Sequence, residues 1–162
     1  MSPTIRDRPR APAPALVGRG PARPVILATL SVAVDPAAEE MALASALEAG
    51  VALIVANLML LPPYPRAVML AGLDAATLPH EEDLDAVRAT ADRAAALGIP
   101  TELLRISSRR PLRALLELVV EREAGLLVFG PDVARTRSRR FRAAARRIRR
   151  DAGCLVWVAP DG

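Results

Sequence analysis

A chain of 162 residues that are 52% hydrophobic can build one domain with a packed core. Aromatic residues make up only 2%, so we expect the core to consist of Leu, Val, Ile and Ala. One cysteine excludes an intramolecular disulfide, and one histidine excludes a metal site with paired histidine ligands. We therefore expect no bound metal.

The net charge of +4 is unevenly distributed. Arginine supplies every positive side chain, because the chain has no lysine. Residues 1–24 contain five arginines and one acidic residue, residues 25–134 contain eight arginines and fifteen acidic residues, and residues 135–162 contain nine arginines and two acidic residues. An acidic body with two basic ends permits contact with a phosphate-rich partner but does not establish one.

The first 23 residues predict a disordered Arg-, Pro- and Ala-rich tail, because they have no hydrophobic periodicity and several prolines. A single domain is predicted over residues 24–162. The longest apolar stretch, Val51 to Pro63, is too short to span a bilayer, and the N-terminus lacks the apolar segment of a secretory signal. We therefore expect a cytoplasmic protein without a membrane span.

The first predicted strand is the apolar run Val25–Leu30. Asp35 followed by Pro36 predicts the start of a helix, with Asp35 as its N-cap. This helix should continue to Ala49 and end at Gly50 in a left-handed conformation. Its predicted buried face consists of Met41, Ala44, Ala46 and Leu47.

The middle of the chain continues this alternation. A second buried strand is predicted over residues 51–58, and the four prolines of residues 59–79 predict a loop with a short helix around Arg66–Leu73, a candidate mobile lid. A helix over residues 81–97 follows. The third strand, residues 99–106, is less hydrophobic, as expected for an edge strand.

Four further elements are predicted after residue 110. A helix begins at Pro111 and is closed by Gly125, and a strand follows over residues 126–129. An arginine-rich helix over residues 138–152 is ended by Gly153, and a final strand covers residues 154–159. Strands that are apolar on both faces and alternate with helices predict a single doubly wound, Rossmann-like α/β domain, with a five-stranded parallel sheet flanked by about four helices. Ligands bind such sheets at the carboxyl ends of the strands, where the winding reverses.

Three segments together resemble the universal stress protein family over about residues 24–160. They are the opening VILATLS with DPAAEEMALASALEAG, the passage GIPTELLRI with SSRRPLRALLELVVEREAGLLVFG, and the closing strand GCLVWVAP. The resemblance implies a non-enzymatic stress-response protein that forms a homodimer through its last strand.

The family's ATP-binding members carry Gly-x-x-Gly, nine further residues, and then Gly-Ser or Gly-Thr. Here Gly130 matches the first glycine, the second falls on Val133, and the final pair falls on Ala143 and Ala144. The family's aspartate at the end of the first strand falls on Leu30. The chain therefore resembles members that do not bind ATP, with a degenerate nucleotide site and no cofactor; binding of ATP or AMP is the alternative.

If an anion or nucleotide does bind, the loops after the first and fourth strands should hold it. Arginines at the start of the arginine-rich helix could replace the glycines by bidentate phosphate contacts, aided by the helix N-terminus. The candidate residues are Thr29, Ser31, Gly130, Arg135, Thr136, Arg137 and Ser138.

The nine arginines between residues 135 and 150 allow a simpler interpretation, that of an amphipathic helix with a solvated outer face. Its predicted inner face consists of Phe141, Ala144, Ala145, Ile148 and Ala152. An adaptor that docks an acidic partner or polyanion through the helix 138–152 is a further alternative. Specific nucleic-acid binding is not expected, because Phe141 points inward and no platform for base stacking remains.

No catalytic constellation is evident. His80 is predicted to lie on the surface, and the acidic residues Glu81, Glu82, Asp83 and Asp85 to complement a helix dipole. Cys154 is predicted to be a small core residue, so we expect no enzymatic activity.

The last strand is the predicted dimer interface. If it forms an edge of the sheet, its apolar side chains need a second chain to cover them, and the predicted contact residues are Leu155, Trp157 and Val158. The alternative is that a helix of the same chain covers Trp157.

Overall fold

Strands and helices alternate through the computed structural model, which describes residues 22–61 and 81–159. The predicted tail, except for its last residues, the predicted helix around Arg66–Leu73 and His80 lie outside these ranges. The strands are β1 Val25–Thr29, β2 Leu53–Leu60, β3 Thr101–Ser108, β4 Leu126–Phe129 and β5 Leu155–Val158. The helices are α1 Pro36–Ala49, α2 Glu81–Ala96, α3 Pro111–Glu121 and α4 Ser138–Asp151.

All five strands are parallel, in the order β3-β2-β1-β4-β5. Every residue of β1 is buried, and β1 pairs with β2 on one side and β4 on the other. The predicted doubly wound parallel sheet is confirmed, as is the edge position of β3. The chain reverses its direction of winding between β1 and β4, so their carboxyl ends are where such folds bind ligands.

The ends of α1 agree with the sequence, whereas its predicted buried face is confirmed only at Ala46. Asp35 Oδ1 accepts hydrogen bonds from the N–H groups of Ala37 and Ala38, and Gly50 is left-handed at φ 62°. The other buried residues are Ala38 and Ala42, while Leu47 is half exposed. A row of methyl side chains every four residues lets the helix approach the sheet closely.

Three predicted helix ends differ from the structure. α2 ends at Ala96, one residue before the predicted end. α3 stops at Glu121, and a left-handed residue follows at Glu123, φ 49°, before Gly125 is reached. α4 ends at Asp151, because Ala152 is extended.

The helices cover the sheet in two pairs. Arg93 of α2 pairs with Glu39 of α1, with Nη2 to Oε2 at 2.7 Å, and α3 contacts α4. The connections through α1 and α2 run from β1 towards β3, whereas those through α3 and α4 run back towards β5. Because such crossovers are right-handed, α1 and α2 lie on one face of the sheet and α3 and α4 on the other. Within residues 22–61 and 81–159, none of the helices combines the length and apolar character that a membrane span requires.

Candidate functional site

The loops after β1 and β4 meet at the carboxyl ends of the strands, as predicted. The N–H of Asp35 donates to the carbonyl of Gly130 at 2.9 Å, and the N–H of Asp132 donates to the carbonyl of Ala33 at 2.9 Å. The two loops therefore bond to each other through their backbones.

Gly130 has a packing role. Its N–H donates to Ala28 O at 3.0 Å, and its carbonyl is held by Asp35. A Cβ built on Gly130 would lie 1.9 Å from Cβ of Ala38 in α1. Any side chain at position 130 would thus push α1 away from β4, so close helix packing requires this glycine.

The other positions of the nucleotide motif also have structural explanations. Val133 packs against the core. Ala143 and Ala144 lie inside α4, which begins five residues before Ala143. Their N–H groups are bonded to carbonyls four residues earlier in the helix and are not available to a ligand.

Arg135 makes an ion pair that the sequence did not predict. Its Nη1 lies 2.6 Å from Oδ1 of Asp83, whose side chain is only 3% exposed. The same oxygen accepts the N–H of Ala33 at 3.2 Å. Asp83 thereby ties α2 to both loops.

Asp83 lies in the first turn of α2 with Glu81 and Glu82, as predicted, but its buried carboxylate also makes contacts that the dipole interpretation did not foresee. The spacing held a signal, because Asp83, Val87, Ala91 and Ala94 recur at intervals of three and four residues and form one buried face with Thr90. A charged residue on that stripe needs a buried partner, but the stripe does not identify Arg135, which lies 52 positions away.

Thr29 and Ser31 hold the loop after β1. The buried Thr29 hydroxyl donates to Val32 O at 2.7 Å. Ser31 adopts φ 54°, its N–H donates to Oδ1 of the buried Asn57 at 3.1 Å, and its hydroxyl donates to Leu58 O at 2.8 Å. Asn57 lies within the apolar run of the predicted second strand, so no local pattern marked it as a site residue.

The remaining candidates lie before and at the start of α4. Oγ1 of Thr136 is buried and has no hydrogen-bond partner among the described residues. Arg137 and Ser138 are exposed, and Arg137 provides no side-chain cap for α4. The predicted inner face of α4 is confirmed for Phe141, Ala144, Ala145 and Ile148.

A cavity of about 460 Å³ opens between α3 and α4, beyond the ends of β1 and β2. Of the predicted site residues, Ser31 lines it. Leu30, Ala143 and Ala144, which fall on the family's aspartate and on its final Gly-Ser or Gly-Thr pair, line it as well. The remainder of the lining is apolar or arginine: Leu58, Leu60, Pro111, Leu112, Arg109, Arg110, Arg113, Arg140 and Arg147. Arg109 and Arg110 lie between the end of β3 at Ser108 and the start of α3 at Pro111, and this position after a strand was the signal available in the sequence for a site.

Arginines shift the pKa of one carboxyl, that of Asp151 at the end of α4. A hydrogen bond from Arg150, with a smaller contribution from Arg147, lowers the pKa of Asp151 below its ordinary value. Burial raises the pKa of the Cys154 thiol, which disfavours a reactive thiolate at neutral pH. Residues 22–61 and 81–159 contain no cluster of three or more side chains suited to hold a metal ion.

The last strand lies at the edge of the sheet, as the dimer prediction required. Leu155 is 74% exposed, whereas Trp157 and Val158 are partly buried and pack against the core. A large apolar side chain is therefore presented beside the unpaired edge of β5.

No protein-family model matches the chain, and no curated protein matches its sequence. Solved structures do match. A universal stress protein in complex with cAMP is 23% identical, with a TM-score of 0.59, over 86% of this chain and 98% of its own. UspA from Lactobacillus plantarum is 18% identical, with a TM-score of 0.61, over 86% and 99%. The Archaeoglobus fulgidus universal stress protein with dAMP is 19% identical, with a TM-score of 0.53, over 84% and 96%. The chain has the fold of the universal stress proteins.

Proposed function

We propose that this chain is a non-enzymatic, cytoplasmic stress-response protein of the universal stress type, with a degenerate nucleotide site that does not bind ATP through the glycine motif. The observation that carries this proposal is the approach of Ala38 to Gly130. The one motif glycine that the chain retains is explained by packing alone.

Backbone N–H groups bind phosphate only when they are free and sterically open. Here the N–H of Gly130 is bonded to Ala28, and those of Ala143 and Ala144 are inside α4. Arg135, the leading candidate for a replacement, is bound to Asp83. These contacts support the absence of ATP binding by the usual mode.

Titration calorimetry with ATP, ADP and AMP should therefore give no binding at sub-millimolar ligand concentration. The control is the thermal unfolding of the same sample, which must be cooperative. Sub-millimolar ATP binding that is lost in Arg137→Ala would contradict the proposal, because the Arg137 side chain is exposed before α4 and makes no salt bridge among the described residues.

That outcome would favour the second candidate, a nucleotide-binding protein with an arginine-rich loop. It is supported by the cAMP and dAMP held by two proteins of the same fold. Arg137 tests it more cleanly than Arg135, whose substitution also breaks the ion pair to Asp83.

An adaptor function is a third candidate, supported by the exposed outer face of α4. That face presents Arg139, Arg142, Arg146, Arg149 and Arg150. Retention on heparin that falls steeply with salt would support it, and no retention at low salt would exclude a polyanion as the partner.

We also propose that two copies pair through β5. The exposed edge and the 74% exposed Leu155 support an interface that continues the sheet or covers its apolar rim. Light scattering should give a dimer for the natural sequence and a monomer for Leu155→Arg, since a charge would be buried without a partner.

The matched control is Val120→Arg. Val120 is 72% exposed but lies on α3, away from β5. The dimer proposal fails if the natural chain is monomeric, or if Leu155→Arg and Val120→Arg change the mass equally.

A further inference from the structure

We propose that the cavity between α3 and α4 binds an amphiphilic organic anion, with an aliphatic chain against its leucines and a phosphate or carboxylate head group held by its arginines. This inference rests on the proposed function and deepens it: Leu30, Ala143 and Ala144 place the cavity at the degenerate nucleotide site, and the inference assigns a ligand class to that site. The leucine floor consists of Leu30, Leu58, Leu60 and Leu112, and the arginine rim of Arg109, Arg110, Arg113, Arg140 and Arg147.

The rim carries unneutralised positive charge. Among the described residues, no carboxylate lines the cavity, and Arg109, Arg110 and Arg140 make no salt bridge within the same ranges. Arg113 pairs with Glu117 at 2.8 Å, with both side chains mostly exposed, and Arg147 pairs with Asp151 at 3.6 Å. Such surface pairs contribute little, so Arg113 can turn to an anion at small cost.

The arginines approach from two sides of the cavity. The backbone of Arg110 is fixed on both sides. Its N–H donates to Oγ of Ser108 at 3.0 Å, and α3 begins at the next residue, Pro111. Arg140 and Arg147 are seven residues apart on α4, which places them on one face. A turn that is ordered before binding loses less entropy when the ligand arrives.

The leucine floor favours an aliphatic body over a nucleotide base. Leu60 ends β2 as an exposed side chain, and Leu58 beside it is buried. An alkyl chain seated there would remove the apolar surface of Leu60 from water. Among the lining residues there is no aromatic ring to stack on a base and no acidic side chain to accept an amino group.

The chain-length dependence of binding tests the aliphatic half of the ligand. Titration of the full chain with hexyl, octyl and decyl phosphate, each below its micelle concentration, should give an affinity that rises about fourfold per methylene until the cavity is filled. Inorganic phosphate alone should bind far more weakly. Decanoate should bind and decyltrimethylammonium should not, since the shared requirement is an anionic head group.

Matched arginine variants test the anionic half. Arg110→Gln and Arg140→Gln should each weaken decyl phosphate binding about tenfold. Arg146→Gln and Arg149→Gln remove the same charge from the part of α4 outside the cavity and should leave the affinity within about twofold. Ala143→Trp, at an exposed lining position, should abolish binding by filling the cavity while the circular dichroism spectrum is retained.

Several outcomes overturn the inference. One is an affinity independent of chain length, and another is an equal loss in Arg146→Gln and Arg140→Gln, which would indicate a diffuse charge effect. Binding to anionic phospholipid vesicles without binding of monomeric decyl phosphate would indicate a membrane surface instead. Tight ATP binding would contradict the proposed function. An affinity that does not change from hexyl to decyl phosphate would contradict only this inference.

Discussion

Replacing Gly130 with alanine is expected to destabilise the protein by about 3 kcal/mol, a fall in Tm of about 6–12 °C for a domain of this size. The new Cβ would lie 1.9 Å from Cβ of Ala38, where two carbon atoms require roughly 3.5–4.0 Å. Because Ala38 is fully buried at the start of α1, the helix must shift to relieve the clash. Urea and thermal unfolding measure this loss.

The matched control is Gly153→Ala, because nothing lies within 4 Å of its built Cβ and its φ is not positive. That substitution should be neutral or stabilise by up to about 1 kcal/mol. The double variant Gly130→Ala with Ala38→Gly lacks the clashing Cβ of residue 38. It should therefore recover about 2 kcal/mol of the lost free energy of unfolding, and the remainder is the cost of a glycine inside α1. Equal stability of Gly130→Ala and Gly153→Ala would refute the packing role.

Arg135→Ala is expected to destabilise the protein by about 2 kcal/mol, because among the described residues it leaves the buried Asp83 carboxylate with only the N–H of Ala33 as a partner. The loss is smaller than for a fully buried pair, since the Arg135 side chain is 41% exposed and screened by water. In an Asp83→Asn background, which removes the charge and retains an acceptor for Ala33, the same Arg135→Ala change should have little further effect. Urea unfolding of the four proteins gives the coupling energy.

Asp85→Asn is the control for this cycle, because Asp85 lies in the same turn region of α2 and its pair with Arg88 is exposed at 3.5 Å. It should change stability by no more than about 0.5 kcal/mol. Additive losses in Arg135→Ala and Asp83→Asn would show that the ion pair does not tie the loops together, and would return Arg135 to the list of candidate ligand contacts.

These two experiments bear on function as well as on stability. Gly130 and Arg135 were both candidate nucleotide contacts in the sequence, and both have structural partners in the fold. If each variant loses stability in the absence of any ligand, a drop in ligand binding at either position cannot by itself identify a contact. Arg137 and the rim arginines, which are exposed, then become the informative positions.

Much of the fold was predictable because its signals are local. The apolar runs of β1, β2 and β4, the Asp35-Pro36 helix start and the Gly50 stop each depend on a few adjacent residues, and the structure has all of them. The inner face of α4 was predictable for the same reason, since Phe141 and Ile148 follow helical periodicity. The buried face of α1 was not, because alanines give periodicity little contrast.

By itself, the sequence determined the order of the elements, the parallel sheet and the absence of a Gly-x-x-Gly pattern after the fourth strand, since these follow from periodicity, capping residues and spacing. Only the tertiary structure decided which contacts the residues at those positions make. The contact of Gly130 with Ala38, the pairing of Asp83 with Arg135 and the meeting of Arg110 with Arg140 each join segments that are 30 or more residues apart. The carboxyl ends of parallel strands bring such segments together only when the sheet is assembled, so no local pattern encodes them.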